Sequence, residues 1–341
     1  MTQRGFTDLL RRPIVVAPMA GGPSTTGLVT AATGAGALGF LAAGYKTPEA
    51  MTAEIAVVRA ATSEPFGVNV FVPGAPYADT GALGQYLSSL TMDGAAEKTA
   101  LGDATWDDDD FDGKVAALVA DPPPVTSFTF GCPAAELIDA LRRAGSAVVV
   151  TVTSPEEAAA AAAAGADALS VQGFEAGAHR GTFVNDDTPG QDLGLLSLIA
   201  AVAAVTGLPQ IAAGGIMTPR QVQAVLAAGA VAAQCGTAFL RCPESGAHPL
   251  YKAALADPRY TATTLTRAFS GRLARGLVNQ FIRDHADAPA AYPEINNATR
   301  PLRSAAAASG DTERMSLWAG QGYRSAAERP AGEIIERLCG R

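Results

Sequence analysis

The sequence predicts an α/β fold, a TIM-type (β/α)8 barrel with an added, mostly helical lid or substrate domain. Three observations carry this reading. Short apolar runs rich in β-branched residues alternate with helix-like runs, the pattern of a parallel sheet with crossover helices. Eight such runs occur, the number that closes into a barrel. The chain has 341 residues, more than the ~250 of a bare barrel, so material is left for a cap. A doubly wound open sheet is the alternative.

The first strand is read at 14–17, and Ser24 or Thr25 opens the helix behind it. The second, at 37–41, is followed by Thr47-Pro48-Glu49, which combines an N-cap hydroxyl, a proline in the first turn and an acid on the positive dipole end. The third lies at 66–71 and the fourth at 125–130, with Cys132-Pro133 ahead of a helix over 134–144. The fifth, at 147–152, leads into Ser154-Pro155-Glu156-Glu157, the same start device, and an alanine tract that stops at Gly165. The sixth is at 168–171, the seventh at 210–213 before Thr218-Pro219, and the eighth at 232–235.

Two stretches break the rhythm. About fifty residues separate the third and fourth strands, far beyond an ordinary connection, and they hold the acidic run 107–110. That run reads as a solvated insertion rather than a metal site. A second helix-rich block follows the eighth strand. The expected division is therefore a barrel of 1–73, 125–240 and 311–341, with 74–124 and 241–310 as the insertion or lid region, and with about 316–338 returning to cover the barrel.

Composition narrows the function. With 48% hydrophobic and 17% charged residues, disorder is excluded. A net charge of −8 argues against nucleic acid and against an anionic membrane surface. The four cysteines are scattered, with neither a disulfide framework nor zinc spacing, so no metal is expected. The most membrane-like stretch, 193–205, is too short for the roughly 20 residues of a spanning helix, and the basic N-terminus runs straight into Pro13. A cytoplasmic monomer or homodimer acting on a small molecule is expected.

Barrel enzymes work at the carboxyl ends of their strands. After the first strand, Pro18-Met19-Ala20-Gly21-Gly22 offers a side-chain-poor wall suited to a flat ring system such as a flavin. The third strand places Asn69 among apolar neighbours. After the sixth come Gln172-Gly173-Phe174-Glu175-Ala176-Gly177-Ala178-His179-Arg180-Gly181. The seventh and eighth end in Gly214-Gly215 and Gln234-Cys235-Gly236-Thr237, where glycines and helix N-termini let backbone N–H groups approach a phosphate. The plain alternative is that these glycines only turn the chain. His179 sits in a glycine-rich loop, and its ordinary pKa of ~6.5 would let it donate to an anion or exchange a proton near neutrality. Glu175 and Arg180 are read as loop anchors.

Together with Gly67-Val68-Asn69, Ser270-Gly271-Arg272-Leu273-Ala274-Arg275-Gly276 and Leu317-Trp318-Ala319-Gly320-Gln321, these segments resemble the nitronate monooxygenases, formerly called 2-nitropropane dioxygenases. The resemblance covers nearly the whole chain outside the acidic insertion. It implies an FMN-containing barrel with a lid domain. FMN would contact Met19, Ala20, Asn69, Gln172, Gly177, Gly214, Gly215, Gln234, Cys235, Gly236 and Thr237, its phosphate held by Gly215 and Gly236-Thr237. The implied reaction is oxidative denitrification of an alkyl nitronate, such as propionate 3-nitronate, by O2, with His179 hydrogen-bonding the nitronate oxygens. Ala178 departs from the family, which usually carries glycine there. Related alternatives are an NADH-dependent FMN reductase, such as an enoyl-acyl-carrier-protein reductase, and a barrel that only stores flavin or binds a phosphorylated ligand.

Overall fold

The computed structural model describes residues 5–92, 100–186 and 192–340. Its strands are β1 (Ile14–Val16), β2 (Leu38–Ala42), β3 (Gly67–Phe71), β4 (Val125–Thr129), β5 (Ala147–Val152), β6 (Ala168–Gln172), β7 (Ala178–His179), β8 (Gln210–Ala213), β9 (Ala232–Cys235), β10 (Thr263–Thr266) and β11 (Ala274–Leu277). Eight of them close a parallel barrel in the order β1-β2-β3-β4-β5-β6-β8-β9. The seam is β1 against β9, with Val15 opposite Gln234. Every strand expected from the sequence lies on a barrel strand.

The strands read as unbroken apolar runs because both faces are covered. Val148, Val149 and Val150 are all buried, although consecutive side chains point to opposite faces. Inside the barrel, Val15, Phe40, Val125, Val149, Ala168 and Ile211 share one cluster with Phe6. Gly67 makes room there: a Cβ on it would lie 2.1 Å from the Phe40 ring. The outer faces meet the helices, whose starts follow the expected chemistry. Thr25 Oγ1 accepts from Leu28 N at 2.9 Å, Thr47 Oγ1 from Ala50 N at 3.2 Å, and Ser154 Oγ from Glu157 N at 3.2 Å. The helix Ala331–Leu338 returns to the barrel, burying Ile335 and Leu338 in its core.

Two expectations need correction. The histidine segment is more than a loop: β7 pairs with β11 in an antiparallel sheet of order β10-β11-β7, with His179 opposite Ala274. The helix Phe111–Ala120, expected within the insertion, belongs to the barrel's helical ring, since Val115 and Leu118 share a core with Val68 and Phe128. What does stand apart is a cluster in which Leu83, Tyr86 and Leu90 meet Phe269, Phe281 and Ile295, so the two added blocks pack on each other.

Within the acidic run Asp107, Asp108 and Asp110 are exposed, as the solvated reading expects, while Asp109 turns inward. Asp109 accepts the Tyr45 N–H at 2.8 Å and pairs at 2.7 Å with Lys114, whose side chain is fully buried. Asp107 accepts from the Asn297 amide at 2.7 Å. The run thus staples the strand-three connection to the end of β2 and to the added block. Among the described residues no three metal-ligating side chains come together, and no helix is long and apolar enough to cross a membrane.

Lys114→Met leaves Asp109 in its half-buried place without a cation. The variant is expected to lose about 2–3 kcal/mol in denaturant unfolding, as for loss of a hydrogen bond to a charged group. Adding Asp109→Asn to it should recover part of the loss.

Candidate active site

The histidine segment is held by its own backbone. Gln172, the last residue of β6, donates through Nε2 to the His179 carbonyl at 3.0 Å, and its Oε1 accepts from Gly181 N at 2.8 Å. Arg180 folds inward, its Nη1 donating to the carbonyls of Gln172 at 3.0 Å and Gly173 at 2.8 Å. Both Glu175 carboxylate oxygens accept from Leu195 N at 3.0 Å. Glu175 and Arg180 are therefore anchors, bound to main chain. Gly177 passes so near the C-terminal segment that a Cβ would lie 2.4 Å from Gly320 N. Ala178 then takes φ +61°, a left-handed conformation that explains why glycine suits this position.

His179 projects into a ring of aromatic groups. Phe130, Tyr292 and Trp318 surround it at centroid distances of 5.8, 5.7 and 5.6 Å. Its Nε2 lies 2.8 Å from Ser270 Oγ, which leaves Nδ1 as the ring nitrogen without a hydrogen bond among the described residues. Burial, with the positive charges of Arg272 and Arg303 close by, pushes the imidazole pKa down to about 3. This corrects the expectation of proton exchange near neutrality. In these surroundings the neutral ring is favoured over the imidazolium.

The charge belongs to Arg272. Its side chain is only 4% exposed and its guanidinium lies 3.9 Å over the Phe130 ring. It donates to the carbonyls of Arg180, at 3.3 Å, and of Thr182, and burial pushes its pKa down to about 10. None of the ion pairs among the described residues includes it. Arg303, likewise pushed down to about 10 by burial, donates among the described residues to Asn296 alone. Beside them opens a cleft of about 250 Å3 walled by Tyr45, Phe71, Phe130, Tyr292 and Arg300, with the Tyr45 and Tyr292 hydroxyls 3.1 Å apart.

The glycine turns lie across the barrel mouth. Gly214 and Gly215 take φ +136° and +66°, and a Cβ on Gly215 would lie 3.0 Å from that of Glu175. Thr237 Oγ1 accepts from Gly320 N at 3.0 Å, and a Cβ on Gly322 would lie 2.8 Å from Gly215 O. A Cβ on Gly236 would lie 3.6 Å from the Met19 sulfur. Ser24 closes the turn carrying Met19 and Ala20 by accepting Met19 N at 2.9 Å. Four stretches of nearly bare backbone thus converge in a cradle. Gln234 pairs across the sheet with Val15 and Ala213. Cys235 turns its thiol into the core, where burial pushes it up to about 12, so only its backbone is left for a ligand. Asn69 donates to Ser127 Oγ at 2.9 Å and Thr129 Oγ1 at 3.0 Å on the neighbouring strand.

Sequence reasoning gave no role to Ser270, Arg272, Phe130, Tyr292 or Trp318. Arg272 and Arg275 did carry a signal: two arginines within Arg272-Leu273-Ala274-Arg275-Gly276-Leu277, both 4% exposed or less, are costly unless they serve something.

The family model described as nitronate monooxygenase matches residues 4–340. The chain is similar to a nitronate monooxygenase of Pseudomonas aeruginosa, with 41% identity over 99% of this chain and 98% of the relative. Among solved structures it is similar to a nitroalkane oxidase from Streptomyces ansochromogenes, with 53% identity, a TM-score of 0.95 and coverage of 98% and 96%. It is more distantly similar to FabK from Thermotoga maritima, with 28% identity, a TM-score of 0.72 and coverage of 99% and 96%.

Two outcomes follow for the histidine segment. Ala178→Gly relieves a left-handed alanine and should raise unfolding free energy by about 0.5–1 kcal/mol, net of glycine's freedom in the unfolded chain. Because the His179 pKa is lower folded than unfolded, the unfolded chain binds the extra proton. Its contribution to stability is complete above about pH 6.5 and is lost as pH falls from there toward 3. Unfolding measured across that window should fall less steeply in His179→Asn than in the parent.

Proposed function

The chain belongs to the nitronate monooxygenase family, and from that membership we propose that it oxidises small alkyl nitronates with O2 on FMN, releasing a carbonyl compound and nitrite or nitrate. The family is one of flavin-dependent oxidoreductases. The observation that carries the proposal is Arg272: a buried guanidinium that forms no ion pair among the described residues, beside His179, at the mouth of a barrel. A buried cation held mainly by neutral carbonyls gains when an anion arrives. A nitronate is a compact anion of suitable size for the neighbourhood, and it carries its negative charge on two oxygens and a carbon.

The backbone cradle fits FMN. Gly214-Gly215 and Gly236-Thr237 would hold its phosphate through backbone N–H groups, the glycines adding no side chain of their own. Met19 and Ala20 would line the ring system, with Gly177, Asn69, Gln172, Gln234 and the Cys235 backbone bordering it. When bound, the flavin supplies the redox chemistry, accepting electrons from the nitronate and passing them to O2. The protein's own share is position and field. Arg272 compensates the substrate's charge, Arg303 adds to the local positive potential, and the aromatic ring of Phe130, Tyr292 and Trp318 keeps water from the reacting face. His179, neutral, orients the substrate without competing for its charge. This local field opposes a chain whose net charge is −8. The added blocks, 74–110 and 241–310, would form the outer wall of the site.

The likeness to FabK favours a second reading, an NADH-dependent flavin reductase, and one experiment separates the two. The purified flavoprotein is mixed anaerobically with propionate 3-nitronate in one cuvette and NADH in another, and the flavin absorbance is followed. Rapid change with the nitronate alone is expected; bleaching only by NADH would overturn the proposal in favour of a reductase. In Arg272→Met the apparent affinity for the nitronate should fall roughly ten- to hundred-fold, the size of a lost charged hydrogen bond.

A further inference from the structure

Ser270 is fully buried and its hydroxyl oxygen stands at the centre of three contacts. His179 Nε2 lies 2.8 Å away, the Arg272 carbonyl oxygen 3.1 Å and the Arg272 amide nitrogen 3.3 Å. A serine hydroxyl has one proton to give and two lone pairs to receive with. The carbonyl can only accept and the amide can only donate. All three contacts are hydrogen bonds in a single arrangement: the hydroxyl donates to the Arg272 carbonyl and accepts from the Arg272 N–H and from a protonated Nε2. If the hydroxyl turned its proton to the imidazole instead, the Arg272 carbonyl would lose its hydrogen bond from Ser270 in a buried turn, a loss that structures rarely tolerate.

We propose that Ser270 is a positioning residue that fixes His179 as the Nε2–H tautomer, so that the ring turns an unprotonated Nδ1 toward the substrate. The consequence deepens the nitronate reading and rests on it. A lone pair at Nδ1 cannot donate to the nitronate oxygens, the role expected from sequence; it repels them. Arg272, two residues from Ser270 in the same turn, attracts them. Imidazole and guanidinium together therefore give the anion one orientation, oxygens toward Arg272 and α-carbon toward the imidazole. The turn that sets the histidine tautomer also carries the cation that draws the oxygens away from it.

The test reads the ring itself and needs no turnover. Flavin-loaded protein labelled with 15N at histidine is examined by long-range 1H–15N correlation at neutral pH. The chain has three histidines, and the His179 signals are identified by their loss in His179→Asn. The expected pattern is a protonated Nε2 and an Nδ1 at the shift of a bare ring nitrogen. Ser270→Ala should convert this to a mixture of tautomers or to Nδ1–H, and Ser270→Thr, which keeps the hydroxyl, should restore it. An Nδ1–H ring in the parent protein overturns the proposal, and so does an Nε2–H ring unchanged in Ser270→Ala. If Ser270→Ala does not fold, the parent spectrum and Ser270→Thr still decide, since loss of Nε2–H in either counts against it. A flavoprotein inert toward nitronates would sink the functional reading while leaving the tautomer assignment to stand or fall on its spectrum.

Discussion

Closure of the parallel barrel is the constraint on which everything else rests. Once β1 pairs with β9, all eight barrel strands run the same way and their carboxyl ends share one rim. Met19, Tyr45, Phe130, the histidine segment, Gly214-Gly215 and Gly236-Thr237 all lie within a few residues of a strand end, so one topological fact assembles the site from distant parts of the sequence. The same closure buries both faces of the strands, which is why the chain can be so apolar and so sparsely charged.

The rim is also where the backbone is least relaxed. The non-glycine residues with left-handed φ among the described ones are Tyr45, Asp109, Asp110, Phe130 and Ala178. Tyr45 follows β2, Phe130 follows β4 and Ala178 follows β6. Each conformation costs on the order of 1–2 kcal/mol and persists because the surroundings dictate it. At Phe130 the return is a ring placed under Arg272 and against His179. At Tyr45 it is a main-chain N–H aimed at Asp109, in turn held by buried Lys114. Strain at the rim is thus matched by charged and aromatic contacts that need those positions.

Much of the barrel was legible because its signals are local. Alternation of strand and helix patterns, hydroxyl caps before prolines, and glycines after β8 and β9 each depend on a few neighbouring residues. The cradle was legible for the same reason. What escaped depends on contacts between distant segments. Ser270 meets His179, and Arg272 the neighbouring Arg180, from about ninety positions away. The strand β7 is two residues long and has no pattern of its own; it exists because β11 supplies a partner. The lowered pKa of His179 likewise follows from burial and from arginines of other segments, so the histidine itself was legible and the shift of its pKa was not. In the acidic run the solvated reading holds for Asp107, Asp108 and Asp110, and what escaped it is the pairing of Asp109 with Lys114, a few residues on.

The sheet β10-β11-β7 has a consequence for how such a protein can change over time. Because β7 pairs edge to edge with β11, with Arg180 N donating to the Leu273 carbonyl beside His179, the cap and the barrel share a secondary-structure element instead of merely touching. A cap of this kind is not an interchangeable accessory. Replacing it with another would remove the strand that shapes the histidine segment, along with the serine and arginine beside it. Phe71 and Arg300, on the cleft wall, lie outside that sheet, so a substitution there leaves the weld in place.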